Sequence, residues 1–147
     1  LNQLSHQNKT GLVPDFAWVS KNDAQPVKPK TISTENDGYY SANACRVPMM
    51  LAGCNDRSAQ NTLKRMLKFF SKRNTITAGY TLKGKPLNKY QSASFSAPIF
   101  YAVSFNRNEG YDDLFMSQQY IFTRHLPQNN YYDAALTTMA ALDADKL

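Results

Sequence analysis

The sequence predicts an all-α fold of five helices, interrupted by one small β-hairpin excursion. Three observations predict it. Apolar residues recur at helical spacing in long stretches, as at Leu63, Met66, Leu67 and Phe70. Asp, Ser or Asn stands just before these stretches and Gly or Pro just after, the usual start and stop signals. β-leaning sequence is confined to Thr75–Tyr90. A βαβ pattern, a glycine-rich phosphate loop, GxSxG and HExxH are all missing from the sequence.

Taken in order, Leu1 to Lys9 reads as the tail of a helix or a polar turn. Gly11 stops it, and Pro14 restricts Val13 to extended geometry. Thr10 to Val19 should therefore cross the structure as an ordered, extended piece. Asp15 and Trp18 in it could line a cleft; the plain alternatives are a turn-capping Asp and a core Trp. Ser20 to Thr34, with Pro26 and Pro29, has no periodicity and reads as a long loop, a feature that is often functional. Glu35 to Asn55 then runs from a polar loop into a small apolar stretch with one arginine, Arg46. A helix is expected from Ser41 or Ala42 to about Gly53, buried because apolar residues surround it. Pro48 requires it either to start near Val47, with the proline in its first turn, or to kink.

Asp56 or Ser58 caps a second helix to about Arg73, with a basic face of Lys64, Arg65, Lys68, Lys72 and Arg73. Thr75 to Tyr90 reads as a hairpin or an irregular excursion, with Lys83-Gly84-Lys85-Pro86 as its turn. A third helix, Ala93 to Asn106, is apolar nearly all round, and Pro98 is expected in its first turn. Gly110 breaks it. Asp112 or Asp113 starts a fourth helix to about Arg124, and Pro127 ends that region. Asn129 or Asn130 caps a fifth, Tyr131 to about Ala144, with Ala135, Leu136, Met139 and Leu142 inward. Helices alternating between wholly apolar and half-charged suggest two concentric layers.

The 147 residues suit one domain, 1–147, with one core. Apolar residues make up 42% and charged residues 19%, a globular composition. The net charge is +6, which reads first as a basic surface. No nucleic-acid motif accompanies it, so no nucleic-acid partner is expected, while an acidic partner such as an anionic cell wall fits. Cys45 and Cys54 on one helix would lie about 13 Å apart at ~1.5 Å per residue. That is too far for a disulfide, and both read as free, buried thiols. His6 and His125 are far apart in sequence, so no metal site and no cofactor is expected. No apolar run approaches the ~18 residues of a membrane span. The opening at Leu1, as if in mid-helix, suggests a piece of a longer protein with any targeting segment upstream.

Three blocks resemble glycoside hydrolase family 8, in the family's order: Thr10-Gly11-Leu12-Val13-Pro14-Asp15-Phe16, Tyr40-Ser41-Ala42-Asn43-Ala44-Cys45-Arg46-Val47-Pro48, and Asn130-Tyr131-Tyr132-Asp133-Ala134-Ala135-Leu136. A related barrel family of amylase-like enzymes shares this look. The resemblance implies an (α/α)6 barrel, six inner and six outer helices around a cleft, of which this chain would be the C-terminal half. It implies a polysaccharide substrate, a partner in the N-terminal half of the same barrel, and an extracellular or cell-surface location.

In many members the middle block reads Tyr-Asp-Ala-x-Arg, and its Asp is the general base of an inverting mechanism. Here that position is Asn43, whose amide cannot take a proton from water but can hold the water. A subset of the family has Asn there and draws its base from a Glu on an upstream loop. Glu35 is the corresponding candidate base, with Asp37 second; both also read as solvated loop carboxylates. The family's acid-bearing block has no counterpart here, and the only glutamates are Glu35 and Glu109. Arg46 resembles the family's cleft arginine, and Tyr39, Tyr40 and Trp18 are candidate sugar platforms or core residues. The resemblance implies an inverting glycoside hydrolase of a β-1,4-glucan-like polysaccharide, incomplete by itself. Two rivals stand beside it: a non-catalytic carbohydrate- or cell-wall-binding relative, and a basic helical module that binds anionic polymers.

Overall fold

The structure is a computed structural model that describes residues 1–106, 109–126 and 128–144. Pro127, the expected helix stop, lies outside the described residues. The helices are α1 (Asn2–His6), α2 (Val47–Ala52), α3 (Arg57–Ser71), α4 (Ala93–Ser104), α5 (Asp112–Gln118), α6 (Tyr120–Thr123) and α7 (Tyr131–Ala144). Strands β1 (Ala17–Val19) and β2 (Ala24–Pro26) pair antiparallel, with Trp18 opposite Gln25.

The expected all-α half-barrel does not stand. The described residues include a β-ribbon, long irregular segments, and four helices too short to form barrel staves: α1, α2, α5 and α6 have five, six, seven and four residues. The ribbon falls in what read as a structureless loop. Its turn is local: the N–H of Ser20 donates to the Asp23 carbonyl at 2.8 Å, and the N–H of Asp23 to Ser20 Oγ at 3.2 Å. Three residues ending in proline carry too little pattern to announce a strand.

Helix α4 is the centre of the molecule. It packs against α2, α5, α6 and α7 and against the 3-10 turn Ala44–Arg46. Phe95, Ile99, Ala102 and Val103 face the larger core cluster, while Ala97 and Phe100 face a second one with Ile121, Leu136 and Ala140. Two cores on opposite sides explain why its sequence is apolar nearly all round. Pro98 lies inside α4, not in its first turn. Asp133 supplies the start of α4 from α7: its Oδ1 accepts the Ser94 N–H and the Ser92 hydroxyl, both at 2.8 Å.

Helix α3 follows its pattern. The Asp56 carboxylate accepts the Ala59 N–H at 2.8 Å, and Leu63, Met66, Leu67 and Phe70 are all buried. Each such side chain contributes about 1.5–3 kcal/mol of burial. Thr75–Tyr90 forms no strand. Tyr80 instead exchanges backbone hydrogen bonds with Tyr40, at 3.0 and 2.9 Å, and also bridges Pro86. The segment therefore docks onto the loop before the 3-10 turn, and its own two arms are only loosely paired. The expected fourth helix is broken at Gln119 into α5 and α6. On α7, Leu136 is buried, but Met139 and Leu142 are exposed and not inward.

Candidate functional site

The geometry centres on the 3-10 turn Ala44–Arg46 and the segment before it. The expected single helix begins instead as this turn, and α2 follows with Pro48 in its first turn. That placement suits a residue without an N–H. The turn has no side-chain cap of its own, and Asp15 provides one from 26 to 29 residues away. Asp15 Oδ1 accepts the N–H groups of Ser41 (3.0 Å), Asn43 (3.1 Å) and Ala44 (2.7 Å). The Asp15 backbone is itself fixed, its N–H donating to the Tyr39 carbonyl at 2.8 Å. Burial pushes the Asp15 carboxyl above its usual pKa, although these three N–H groups pull it back. The hydrogen bonds of this carboxylate all run to Oδ1 in the described residues.

Asn43 is exposed, and its Oδ1 accepts from Arg46 Nη2 at 3.1 Å. Arg46 Nε also donates to the Asn43 carbonyl at 3.4 Å. The arginine is half-buried and makes no ion pair among the described residues. Behind it, the Tyr132 hydroxyl donates to the Ala42 carbonyl at 2.7 Å and lies 3.7 Å from Cys45 Sγ. Burial raises the Tyr132 hydroxyl and pushes the Cys45 thiol up to about 11. Cys45 is buried and Cys54 only half-buried, both unpaired. Sequence reasoning did not single out Tyr132, although it sits in the third quoted block, just after the residue that caps α7. The Asn130 Oδ1 accepts the Asp133 N–H at 3.1 Å.

Two expected site residues are corrected. Tyr40 is wholly buried, its ring against Phe70 and Phe95 at 5.6 and 6.1 Å, so it is core and offers no face to a sugar. Asp37 is also buried, and is fully engaged: Oδ2 accepts the N–H groups of Ile32 and Ser33, and Oδ1 accepts that of Thr34 and the hydroxyls of Ser33 and Thr34. Burial alone would raise its pKa. The donated N–H groups outweigh burial and hold the carboxyl well below the usual range. Asp37 is thus the staple of the 32–37 loop, and not a base.

Glu35 rides on that stapled loop. It is exposed and pairs with Lys30 Nζ at 2.7 Å. Tyr39 is half-buried in the wall of a groove with Pro26 and Pro29. Trp18 stands 64% exposed on the ribbon, which excludes the core reading. No hydrogen bond joins Glu35, Tyr39 or Trp18 to the Asn43–Arg46 pair in the described residues. Among the described residues, no three His, Cys, Asp or Glu side chains are placed to hold a metal ion. What the cluster does offer is a carboxylate, a guanidinium and a primary amide on a fixed backbone. Such a set matches the donors and acceptors of sugar hydroxyls or of an ordered water.

No family model matches the sequence. Over 103 residues the chain is 30% identical to a β-glucanase of Niallia circulans, a match covering 64% of this chain and 25% of the relative. The fold is shared with an apo structure of a β-1,3-1,4-glucanase from Paenibacillus sp. X4. The TM-score is 0.80 at 23% identity, covering 92% of this chain and 38% of that one. The chain thus spans about a quarter of the curated relative and well under half of the solved one. The expected membership of glycoside hydrolase family 8, or of the amylase-like barrel family, is corrected to a likeness to β-glucanases: these are the names the comparisons carry, and no family model supports the narrower assignment.

Proposed function

We propose that this chain is part of a glycoside hydrolase that cleaves a β-glucan, with the Asn43–Arg46 pair forming the water-binding side of its site. The observation that carries the reading is the fixed polar cluster on the 3-10 turn. Asp15 accepts three N–H donors of that segment, from Ser41, Asn43 and Ala44, and Arg46 donates to the Asn43 amide oxygen. Preorganised groups of this kind orient a water or a hydroxyl without reorganisation at the moment of reaction. The likeness to two glucanases supports the substrate class.

Glu35 is the base in this proposal. It is a carboxylate with open access to water, on a loop whose shape Asp37 fixes. Asn43 holds the water and Glu35 takes its proton. The mechanism inverts, with acid and base carboxyls about 6.5–9.5 Å apart. The acid comes from outside these 147 residues, and the enzyme acts outside the cell or at its surface.

The test is hydrolysis of β-1,3-1,4- and β-1,4-glucans by the full-length protein, comparing wild type with Glu35→Gln. Loss of a general base lowers kcat by about 10²–10⁴. A Glu35→Gln variant with undiminished kcat removes Glu35 from this role. One observation favours a second reading, a non-catalytic glucan binder: Glu35 is already paired with Lys30. Wild-type protein that binds these glucans without releasing reducing ends would establish it.

A further inference from the structure

Three cavities on the face carrying the ribbon and α3 share walls. The first, about 480 Å³, and the second, about 640 Å³, have Pro26, Leu82 and Lys83 in common. The second and the third, about 500 Å³, have Lys9, Thr10 and Lys83 in common. Together they make one continuous groove that passes Lys83 throughout. Neither Asn43 nor Arg46 lines it, so it is separate from the cluster on the 3-10 turn.

Its charge is of one sign. Lys9, Lys68, Lys72, Lys83 and Lys85 line it, all exposed and none in an ion pair among the described residues. No Asp or Glu lines any of the three cavities. Asp23, two residues before the lining residue Gln25, is engaged with the side-chain amides of Gln3 and Gln25. The groove is also firmly built. The Thr10 hydroxyl donates to the Leu82 carbonyl at 2.8 Å, and Arg73 donates to the Gly84 carbonyl at 3.0 Å, which pins the lysine-bearing turn across the floor. Five unpaired ammonium groups along one channel concentrate a linear polyanion through counter-ion release and focused potential.

The walls discriminate between polyanions. Pro26, Pro29 and Leu82 give flat apolar surface, and Tyr39 stands at one end. The other ring, Phe69, is covered by the Arg73 guanidinium at 4.0 Å. A run of free aromatic faces, on which nucleic-acid bases would stack, is not present along the groove. We infer that this groove is a docking site for a linear acidic polysaccharide.

The experiment measures binding of the protein to polygalacturonate at 50 and 200 mM salt, with neutral β-1,3-1,4-glucan and poly(U) as competing probes. The variant is Lys68→Gln/Lys72→Gln/Lys83→Gln. A charge-matched control, Lys21→Gln/Arg57→Gln/Lys89→Gln, touches none of the groove. We expect polygalacturonate binding that weakens roughly tenfold or more with the added salt, as counter-ion release requires. We also expect a loss of similar size in the groove variant and little change in the control. All the substituted side chains are exposed, and circular dichroism confirms that both variants fold. Equal losses in the two variants would overturn the inference, as would poly(U) binding tighter than polygalacturonate at the same salt. Glucan hydrolysis is read separately, so failure of the groove and failure of the proposed activity are distinguishable.

Discussion

Replacing Asp15 by alanine removes one acceptor from three backbone donors, the N–H groups of Ser41, Asn43 and Ala44. The three are not equal. The Asn43 bond is at the surface, where water takes over the donor at little cost. Those to Ser41 and Ala44 are partly buried. A buried donor left unpaired costs about 1–3 kcal/mol, and loss of a capping side chain about 0.5–2 kcal/mol. Taking the lower part of that range for two donors gives about 2–3 kcal/mol for Asp15→Ala. Asp15→Asn keeps an oxygen in place of Oδ1 and discards a charge that burial disfavours, so it costs about 1 kcal/mol or less. Urea unfolding followed by circular dichroism measures both, provided the m-value is unchanged. An Asn variant as unstable as the Ala variant would show that the carboxylate charge, and not the acceptor geometry, holds the turn. A cost under about 0.5 kcal/mol for Asp15→Ala would show that the turn stands without its cap.

Gly11 has φ +74°, and a Cβ there would collide with Arg65 Cβ and lie 2.9 Å from the Arg65 carbonyl carbon. Gly11→Ala therefore costs about 2–5 kcal/mol in the same assay, combining left-handed strain with overpacking. The Asp37 carboxyl is held below the 3.8 of an unperturbed Asp, so the unfolded chain takes up its proton first as pH falls. The stability Asp37 contributes is complete above that value and drains away below it. Asp37→Asn is thus less stable than wild type at pH 6 but loses less between pH 5 and pH 2, measured by unfolding midpoints. Asp15, raised, runs the other way and favours the native state as pH falls. Cys45 is buried with its thiol pushed up to about 11, so a thiol reagent at pH 8 labels Cys54 quickly and Cys45 only at the rate of unfolding. Two fast thiols in the native protein would contradict this placement.

The parts of the fold legible in the sequence are those built from near neighbours. Asp56 and the stripe from Leu63 to Phe70 specify α3 within a single stretch of chain. Asn130 specifies the start of α7 in the same way. Pro48 left a start near Val47 or a kink, and α2 takes the first of these. The illegible parts depend on distant partners. Nothing in Ala24-Gln25-Pro26 announces a strand until Ala17-Trp18-Val19 lies beside it. Tyr40 read as a candidate platform because its sequence neighbours are polar; its burial is set by Phe70 and Phe95. Met139 and Leu142 fit an inward stripe by spacing, yet both are exposed, while Leu136 and Ala140 meet the second core cluster. At the candidate site the segment around Asn43 and Arg46 was visible as a unit. The role of Asp15 in holding it was visible only as a capping alternative, and Tyr132 was not visible as a participant at all.

The Asp133 carboxylate that begins α4 has a consequence for the order in which this protein can mature. During synthesis α4 leaves the ribosome well before residue 133, which lies 41 positions beyond Ser92 and 39 beyond Ser94. Until then the first turn of α4 has no side-chain acceptor, for Ser92 makes no capping bond of its own. A nascent chain stalled just past Asn106 should carry an α4 that frays from its N-terminal end. The same helix closes only when α7 arrives, and α7 brings with it the Tyr132 hydroxyl that ties down Ala42. Helix α7 therefore acts as a timing element: the segment bearing Asn43 and Arg46 acquires its final shape only once Tyr132 and Asp133 have been made.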